Sequence, residues 1–279
     1  MFTMTLRKAG LAAATALALS LTATACGGGD SGSGGDKINI GIKFDQPGLG
    51  LKTQDGDYTG FDVDVAKYVA KELGHEEGDI TWKQAPSNER ENMIANGDVD
   101  FIVATYTIND ERKERVSFAG PYFLAHQDLL VRADDSTVRS EDDLNTSELK
   151  LCSVTGSTSA QNVKNDFAPK ANLINYGGYS ECLTGLENKT VDALTTDDSI
   201  LAGFAAQEEH QGKFKLAGLN LSDEPYGIGL KKGDTELQQK INDALKKMVD
   251  EGAWEEAAKK HFGPANYEYE AAPEITEKS

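Results

Sequence analysis

The 279-residue chain is poor in three things: it has three cysteines, four histidines, and 28 Lys and Arg against 46 Asp and Glu. Each shortage excludes a class of function. His75, His126, His210 and His261 are far apart in sequence, with no HExxH and no zinc-like spacing, so no metal and no imidazole-based centre is expected, and each His is expected at the surface. No CxxC pair is present, which removes a dithiol redox site. A GxxxxGK[ST] loop, a GxGxxG turn after a strand and a GxSxG elbow are also missing, so no nucleotide cofactor and no serine-nucleophile elbow is expected. The stretch from Asp55 to Gly60 begins like a calcium loop, but its twelfth position is Ala66 where a bidentate Glu is needed, so it reads as a turn. The net charge of −18 disfavours nucleic acid and anionic lipid surfaces, because phosphates are bound by clustered cations. An anionic small ligand would need its own local cluster of cations.

What is present begins with a leader. Arg7 and Lys8 precede an uncharged Ala- and Leu-rich run over 9–25, too short for a span and flanked like a secretory signal peptide, so residues 1–25 are expected to be removed. Ala23-Thr24-Ala25 before Cys26 fits either lipidation of Cys26 or ordinary cleavage, and Ala23 stands where a lipobox most often has Leu. The next ten residues, GGGDSGSGGD, form a flexible tether with nothing apolar to pack. A tether directly after a Cys makes sense if that Cys is the anchor, so a lipid on Cys26 and a place on the extracellular face of the cell membrane are the preferred expectation. Outside the cytoplasm, Cys152 and Cys182 are expected to pair, with two separate buried thiols as the alternative.

From residue 37 onward strands and helices alternate. Strands are expected over 37–43, 80–84 and 99–104, with helices over 61–73 and over 87–95, the latter capped by Ser87. A second set follows a strand over 127–132 and a polar connection: strands at 149–154, 172–176 and 191–195, helices at 159–167, 180–188 and 199–208. A strand at 226–230 and amphipathic helices at 235–250 and 254–261 complete the chain, and 271–279 reads as a frayed tail. Two βαβαβ sets predict an α/β fold with two lobes joined by two crossing strands. The expected division is lobe 1 over 37–126, lobe 2 over 127–224, and a return to lobe 1 over 225–270. Ligands of open α/β sheets sit at the carboxyl ends of strands, so a cleft between the lobes is the place to look.

GFDVDVAKYVAKEL over 60–73 is similar to the signature of the family 3 extracellular solute-binding proteins, receptors of ABC importers. NGDVDFIVATYTINDERKERVSFAGPYF over 96–123, VTGSTSA over 154–160, VDALTTDD over 191–198 and EPYGIGLKKGD over 224–234 agree with it in order. GIKFDQPGLGLK over 41–52, with the Cys152 and Cys182 pair, most resembles the glutamate-binding lipoproteins of actinobacteria. The resemblance implies a periplasmic-binding-protein-like fold of type II and a monomer closing on one polar amino acid, L-glutamate first, glutamine or aspartate next. It also implies docking to a transmembrane permease.

An α-amino acid needs an anion site beside a cation site. The resemblance places Thr107 and Arg112 at the α-carboxylate, where the planar guanidinium fork suits two parallel bonds. It gives Thr105 a backbone carbonyl toward the ammonium, Thr158 a backbone N–H at a helix start, and Asp197 the charge that pairs with the ammonium, with Asp198 as the fallback or the helix cap. For the γ-carboxylate, Lys43 and Arg90 are the cation candidates, with Lys52 behind them, and Phe44 would cover the ligand's aliphatic part. Each has a plainer alternative: a surface ion pair within ERKER for Arg112, a solvated charge for Lys43 and Arg90, and core packing for Phe44. An enzyme on the same two-lobe fold would need a further acid or base, and none stands out in the sequence.

Overall fold

The computed structural model describes residues 37–278; the expected signal peptide, Cys26 and the tether lie outside them. The chain opens with β1 (Ile38–Ile42), then a small antiparallel sheet of β2 (Asp45–Gln46), β3 (Gly50–Lys52) and β4 (Tyr58–Thr59) that the periodicity does not predict. There follow α1 (Phe61–Glu72), β5 (Ile80–Gln84), α2 (Arg90–Asn96), β6 (Phe101–Ile102), α3 (Asp110–Arg115) and β7 (Val116–Arg132). The second set is β8 (Lys150–Val154), α4 (Thr158–Asn162), β9 (Asn172–Tyr176), α5 (Tyr179–Glu187), β10 (Ala193–Asp197), α6 (Asp198–Ala205) and β11 (Phe214–Leu216). The chain then returns through β12 (Asp223–Lys231) to α7 (Thr235–Asp250) and α8 (Ala253–Phe262). None of these helices is long and apolar enough to cross a membrane.

β1 pairs in parallel with β5 and β6, and β8 pairs in parallel with β9 and β10. These are the two expected βαβαβ units. β7 joins them and is far longer than the expected strand over 127–132. Residues Val116 to His126 pair antiparallel with β12, and from Gln127 onward β7 changes partner and pairs antiparallel with β10. One strand therefore belongs to both sheets, and β12 runs beside it at the exchange. The fold is accordingly two α/β lobes of the type II periplasmic-binding class, held on paired crossing strands.

Local sequence explains the elements that frame the cleft. Gly60 precedes α1 at φ +133°, where a Cβ would meet the Leu49 carbonyl oxygen at 1.9 Å, so only glycine can start this helix here. α7 is capped by Asp234, whose carboxylate accepts from Leu237 N at 3.1 Å, and it buries Ile241, Ala244, Leu245 and Met248 at helical spacing. Phe61 of α1 meets Phe123, Trp254 and Phe262 at centroid distances of 5.4, 5.6 and 5.1 Å, tying helices from both ends of the chain onto β7.

Several sequence expectations need correction. α2 starts at Arg90 behind Glu89; Ser87 does not cap it, and its hydroxyl instead accepts from Lys43. Only Phe101 and Ile102 form the third ladder, although Val99, Val103 and Ala104 are buried. The last residues are docked rather than frayed: the amides of Thr276 and Glu277 donate to the Gly120 carbonyl, and Asn242 donates to the Glu277 carbonyl at 2.7 Å. The histidines are not all at the surface, since His210 is buried and His261 pairs with Asp64 at 2.7 Å.

Cys152 of β8 and Cys182 of α5 form the expected disulfide, with Cα atoms 5.6 Å apart. It closes a loop of 30 residues in sequence separation. Removing it by a double Cys→Ser substitution is expected to cost ~3–4 kcal/mol through the loop entropy of the unfolded chain. That corresponds to a fall of about 10 °C in Tm. A melting curve unchanged within 2–3 °C, about the shift of 1 kcal/mol for a domain of this size, would mean that the bridge is not formed or that the unfolded chain is already restrained there.

Candidate functional site

The first wall of the cleft is built at the ends of β1 and β6. Thr105, just past β6, has φ +46°, an uncommon left-handed conformation for a β-branched residue. Asp62 of α1 holds it there. One carboxylate oxygen accepts from Thr105 N at 2.8 Å, and the other accepts from Tyr122 Oη at 2.8 Å. Arg90, at the first turn of α2, donates to the carbonyls of Ala104 and Thr105 at 2.9 and 3.4 Å and lies over the Tyr106 ring at 4.1 Å. Lys43 ends up beside it, only 6% exposed, with Nζ 2.8 Å from Ser87 Oγ.

Two residues further on, Thr107 pairs with Tyr226 in a single antiparallel bridge, in which Ile108 N bonds Pro225 O and Gly227 N bonds Tyr106 O. In that pattern the N–H and C=O of Thr107 point away from β12. Arg112 sits on that side. Asn109 caps α3 by accepting from Arg112 N at 2.9 Å, which fixes the start of the helix, and the guanidinium donates to Thr107 O at 2.7 Å. Its second nitrogen donates to Gly156 O at 3.2 Å in the other half of the chain. Arg112 is 6% exposed and its closest acid is Glu91 at 3.6 Å, so the reading as a surface ion pair within ERKER does not hold.

The second wall comes from α4, β10 and β12. Ser157 caps α4 through Ala160 N at 3.0 Å and leaves Thr158 and Ser159 at the helix start, facing the cleft. α4 is short, so its dipole contributes little and the cations of the opposite wall dominate. Asp197 ends β10, accepting from Tyr226 Oη at 2.6 Å and Ser159 Oγ at 3.3 Å. Asp198 turns the other way: its Oδ1 accepts from the amides of His126 and Ser199 and from Tyr267 Oη. Of the two acids, Asp197 is the one at the cleft and Asp198 the one that ties down backbone.

Burial governs the electrostatics. It pushes the Lys43 ammonium down to about 7, with the charge of Arg90 next in importance. Burial also lowers Arg90 to about 10, helped by Arg112, and raises Asp62 to about 6 despite its bonds to Tyr122 and Thr105. Asp197 is pushed up well above the usual carboxylate range, first by burial and then by the charge of Glu224. Three cations thus gather on one wall and two acids on the other. Two donors in this cluster, Arg90 Nε and Gln46 Nε2, are buried with no hydrogen-bond partner. An unpaired buried donor is costly, and an incoming carboxylate oxygen would satisfy it.

The expected residues Lys43, Arg90, Thr105, Thr107, Arg112, Thr158 and Asp197 are brought together. The Phe44 ring packs edge-on against Tyr58 at 5.2 Å, and the Lys52 ammonium lies over it at 5.3 Å. Sequence reasoning missed Asp62, Gln46, Ser159 and Glu224. Asp62 lies inside the GFD motif and Glu224 inside EPYGIG, so their positions are visible in the sequence, but their partners lie 43 and 117 residues away in the chain. Among the described residues, no group of three or more His, Cys, Asp and Glu is placed to hold a metal ion.

Two lobes on crossing strands, with cations and carboxylates facing each other across a buried seam, define a solute-capturing receptor of the type II periplasmic-binding class. The chain belongs to the bacterial extracellular solute-binding proteins, family 3, whose profile matches residues 38–264. It is 45% identical over 235 residues to the glutamate-binding protein GluB of Corynebacterium efficiens, covering 81% of this chain and 79% of that one. It is 42% identical over 226 residues to the ABC transporter glutamine-binding protein GlnH of Bacillus subtilis, covering 81% of each. Among solved structures, an ancestral arginine-binding protein bound to arginine superposes with a TM-score of 0.74 at 32% identity, covering 81% of this chain and 98% of the other.

Proposed function

We propose that this protein is the substrate-binding receptor of an ABC importer and that it captures L-glutamate by closing two lobes on it. Arg112 and the Thr107 N–H take the α-carboxylate, Asp197 and the Thr105 carbonyl take the ammonium, and Lys43 and Arg90 take the γ-carboxylate. Lobe 1 is 37–126 with 225–270, and lobe 2 is 127–224. A lipid on Cys26 holds the receptor on the extracellular face of the membrane, beside its permease. The ligand favours closure because only the closed form lets one molecule touch both walls.

The observation that carries glutamate over glutamine is the pair of buried cations, Lys43 and Arg90, in addition to Arg112. An amide in place of the γ-carboxylate leaves that charge unpaired in a low-dielectric site. Ligand-stripped protein is expected to melt higher with L-glutamate than with any other common amino acid, by the equivalent of ~2.7 kcal/mol at 100 times Kd. Binding should leave the amino acid chemically unchanged.

The pH dependence separates the two ligands further. Lys43, buried and faced by Arg90, Asp45, Arg112 and Asp197, is held down to about 7, and a carboxylate beside it raises that value. Below pH 7 the ammonium is already formed. Above it, binding glutamate requires proton uptake and binding glutamine does not. Titration of Asp197 affects both ligands and cancels in their ratio. The preference for glutamate is therefore expected to shrink as pH rises through 7 and beyond, by up to about tenfold per unit. Calorimetric titrations at pH 6, 7, 8 and 9 measure it; a preference that is constant, or that grows with pH, removes Lys43 from the site.

A further inference from the structure

Glu224 has no role in the reading above, yet it is 1% exposed and lies at the centre of the seam. Its Oε2 accepts from Thr107 Oγ1 at 2.7 Å and from Thr158 Oγ1 at 2.8 Å, one from each wall. Its Oε1 accepts from Ser222 Oγ at 2.9 Å and Asn162 Nδ2 at 3.2 Å. Asp197 is close by: Ser159, which bonds Asp197, directly follows Thr158, which bonds Glu224. The charge of Glu224 is the largest influence on Asp197 after burial itself. Neither carboxylate has a Lys, Arg or His within ion-pair distance among the described residues; their partners are hydroxyls and one amide. Two like charges buried side by side are unfavourable unless a cation joins them. The opposite wall shows the complementary defect, with the buried donors of Arg90 and Gln46 lacking acceptors.

We propose that Glu224 is a second ammonium-binding carboxylate, acting with Asp197 to select ligands that carry a protonated amino group. The inference rests on the amino-acid receptor reading and adds to it a specificity residue from the second crossing strand. The hydroxyls of Thr107 and Thr158 aim the Glu224 carboxylate, so its position depends on both lobes meeting. The ammonium supplies three N–H donors to the two carboxylates and the Thr105 carbonyl, and brings the positive charge that the acid pair lacks.

The test is a cycle of two proteins and two ligands. Wild type and Glu224→Gln, both as the full chain, are titrated with L-glutamate and with 2-hydroxyglutarate, which replaces the ammonium by a hydroxyl. Glutamine keeps the shape of the side chain and removes the charge. The substitution is expected to weaken glutamate binding about 10- to 100-fold, the range for losing one charged hydrogen bond. Binding of 2-hydroxyglutarate should be unchanged or tighter, and the empty variant should melt no lower than wild type, because a like-charge contact is gone. Equal losses for both ligands would assign Glu224 a structural role and overturn the proposal, as would glutamate affinity within threefold of wild type, too small a change for a charged bond. If the wild type takes a different amino acid, glutamate as ligand is wrong, and the same cycle on that amino acid and its 2-hydroxy analogue decides the role of Glu224.

Discussion

Arg112→Ala is expected to weaken amino-acid binding by at least ~3 kcal/mol, a loss of more than about 100-fold. The size follows from burial. The guanidinium is held over the Tyr106 ring at 5.0 Å, with one nitrogen on Thr107 O and another on Gly156 O, so its orientation is set before any ligand arrives. A carboxylate placed against it gains a bidentate, charge-assisted contact at little cost in side-chain entropy. Removing the side chain leaves that carboxylate desolvated and unpaired. Arg112→Lys keeps the charge and loses the planar fork, so its affinity should fall between the two. The same side chain bridges the walls, so the empty variant should also lose a little stability. Calorimetry with a melting curve on each variant separates the two effects. An Arg112→Ala protein with near-normal affinity would remove the α-carboxylate from this wall.

Gly203→Ala is expected to block closure. Gly203 lies in α6, and a Cβ there would sit 2.1 Å from the carbonyl oxygen of Pro47, which belongs to the turn after β2 on the other side of the seam. The obstacle is backbone on both sides, so no rotamer change relieves it. Within α6 itself alanine is the better residue, by about 1 kcal/mol. The substitution should therefore leave each lobe at least as stable and penalise only the approach of one to the other. Overpacking of this kind costs up to ~3 kcal/mol, which corresponds to about a 100-fold loss of affinity. Small-angle scattering should show the radius of gyration failing to contract when ligand is added, while the melting temperature without ligand stays the same or rises. Normal affinity together with normal contraction would show that the closed arrangement of α6 against Pro47 is not the ligand-bound one.

Both predictions depend on how the chain is arranged at the exchange in β7. Residue by residue, the pairing partner changes from β12 to β10 between His126 and Gln127. Gln127 is fastened to the second sheet, its amide nitrogen donating to Thr195 Oγ1 and to the Ser159 carbonyl. His126, one residue earlier, has its ring between Asp223 of β12 and Glu270, each at 3.1 Å. The exchange point therefore has firm attachments on either side of one peptide unit, as expected where two rigid bodies turn about a short hinge.

Much of this molecule was written into short stretches of sequence. The helices over α1, α5, α6, α7 and α8 and the strands β1, β5, β8, β9 and β10 are legible because helical periodicity and short apolar strand runs are local features of the sequence. The acid beside the cleft was legible only as a choice between Asp197 and Asp198. Arg112 was legible only through the family resemblance of the TYTINDER stretch; the cap that fixes its position, Asn109, came from the structure. The small sheet β2–β3–β4 was not: its strands are two or three residues long, too short for any alternation to show. The tail was misjudged because its docking depends on the Gly120 carbonyl and on Asn242, neither of which its own composition reveals.

The sequence by itself determined the two α/β units and the order in which they occur, since these depend on patterns a few residues long; the family resemblance supplied most of the charged groups that meet at the seam, and the pairing of Cys152 with Cys182 was an expectation from their number and compartment. Tertiary structure alone decided which groups are desolvated. It packed Phe44 against Tyr58, placed Asp62 behind Thr105, and turned Asp198 toward backbone amides and Asp197 toward the seam. It also brought Glu224 between Thr107 and Thr158, from parts of the chain 117 and 66 residues away. The physical reason is that a charge acquires its energetic meaning from what surrounds it in three dimensions: the same carboxylate is a solvated surface group or a buried partner for a ligand's ammonium, according to which distant segments close over it.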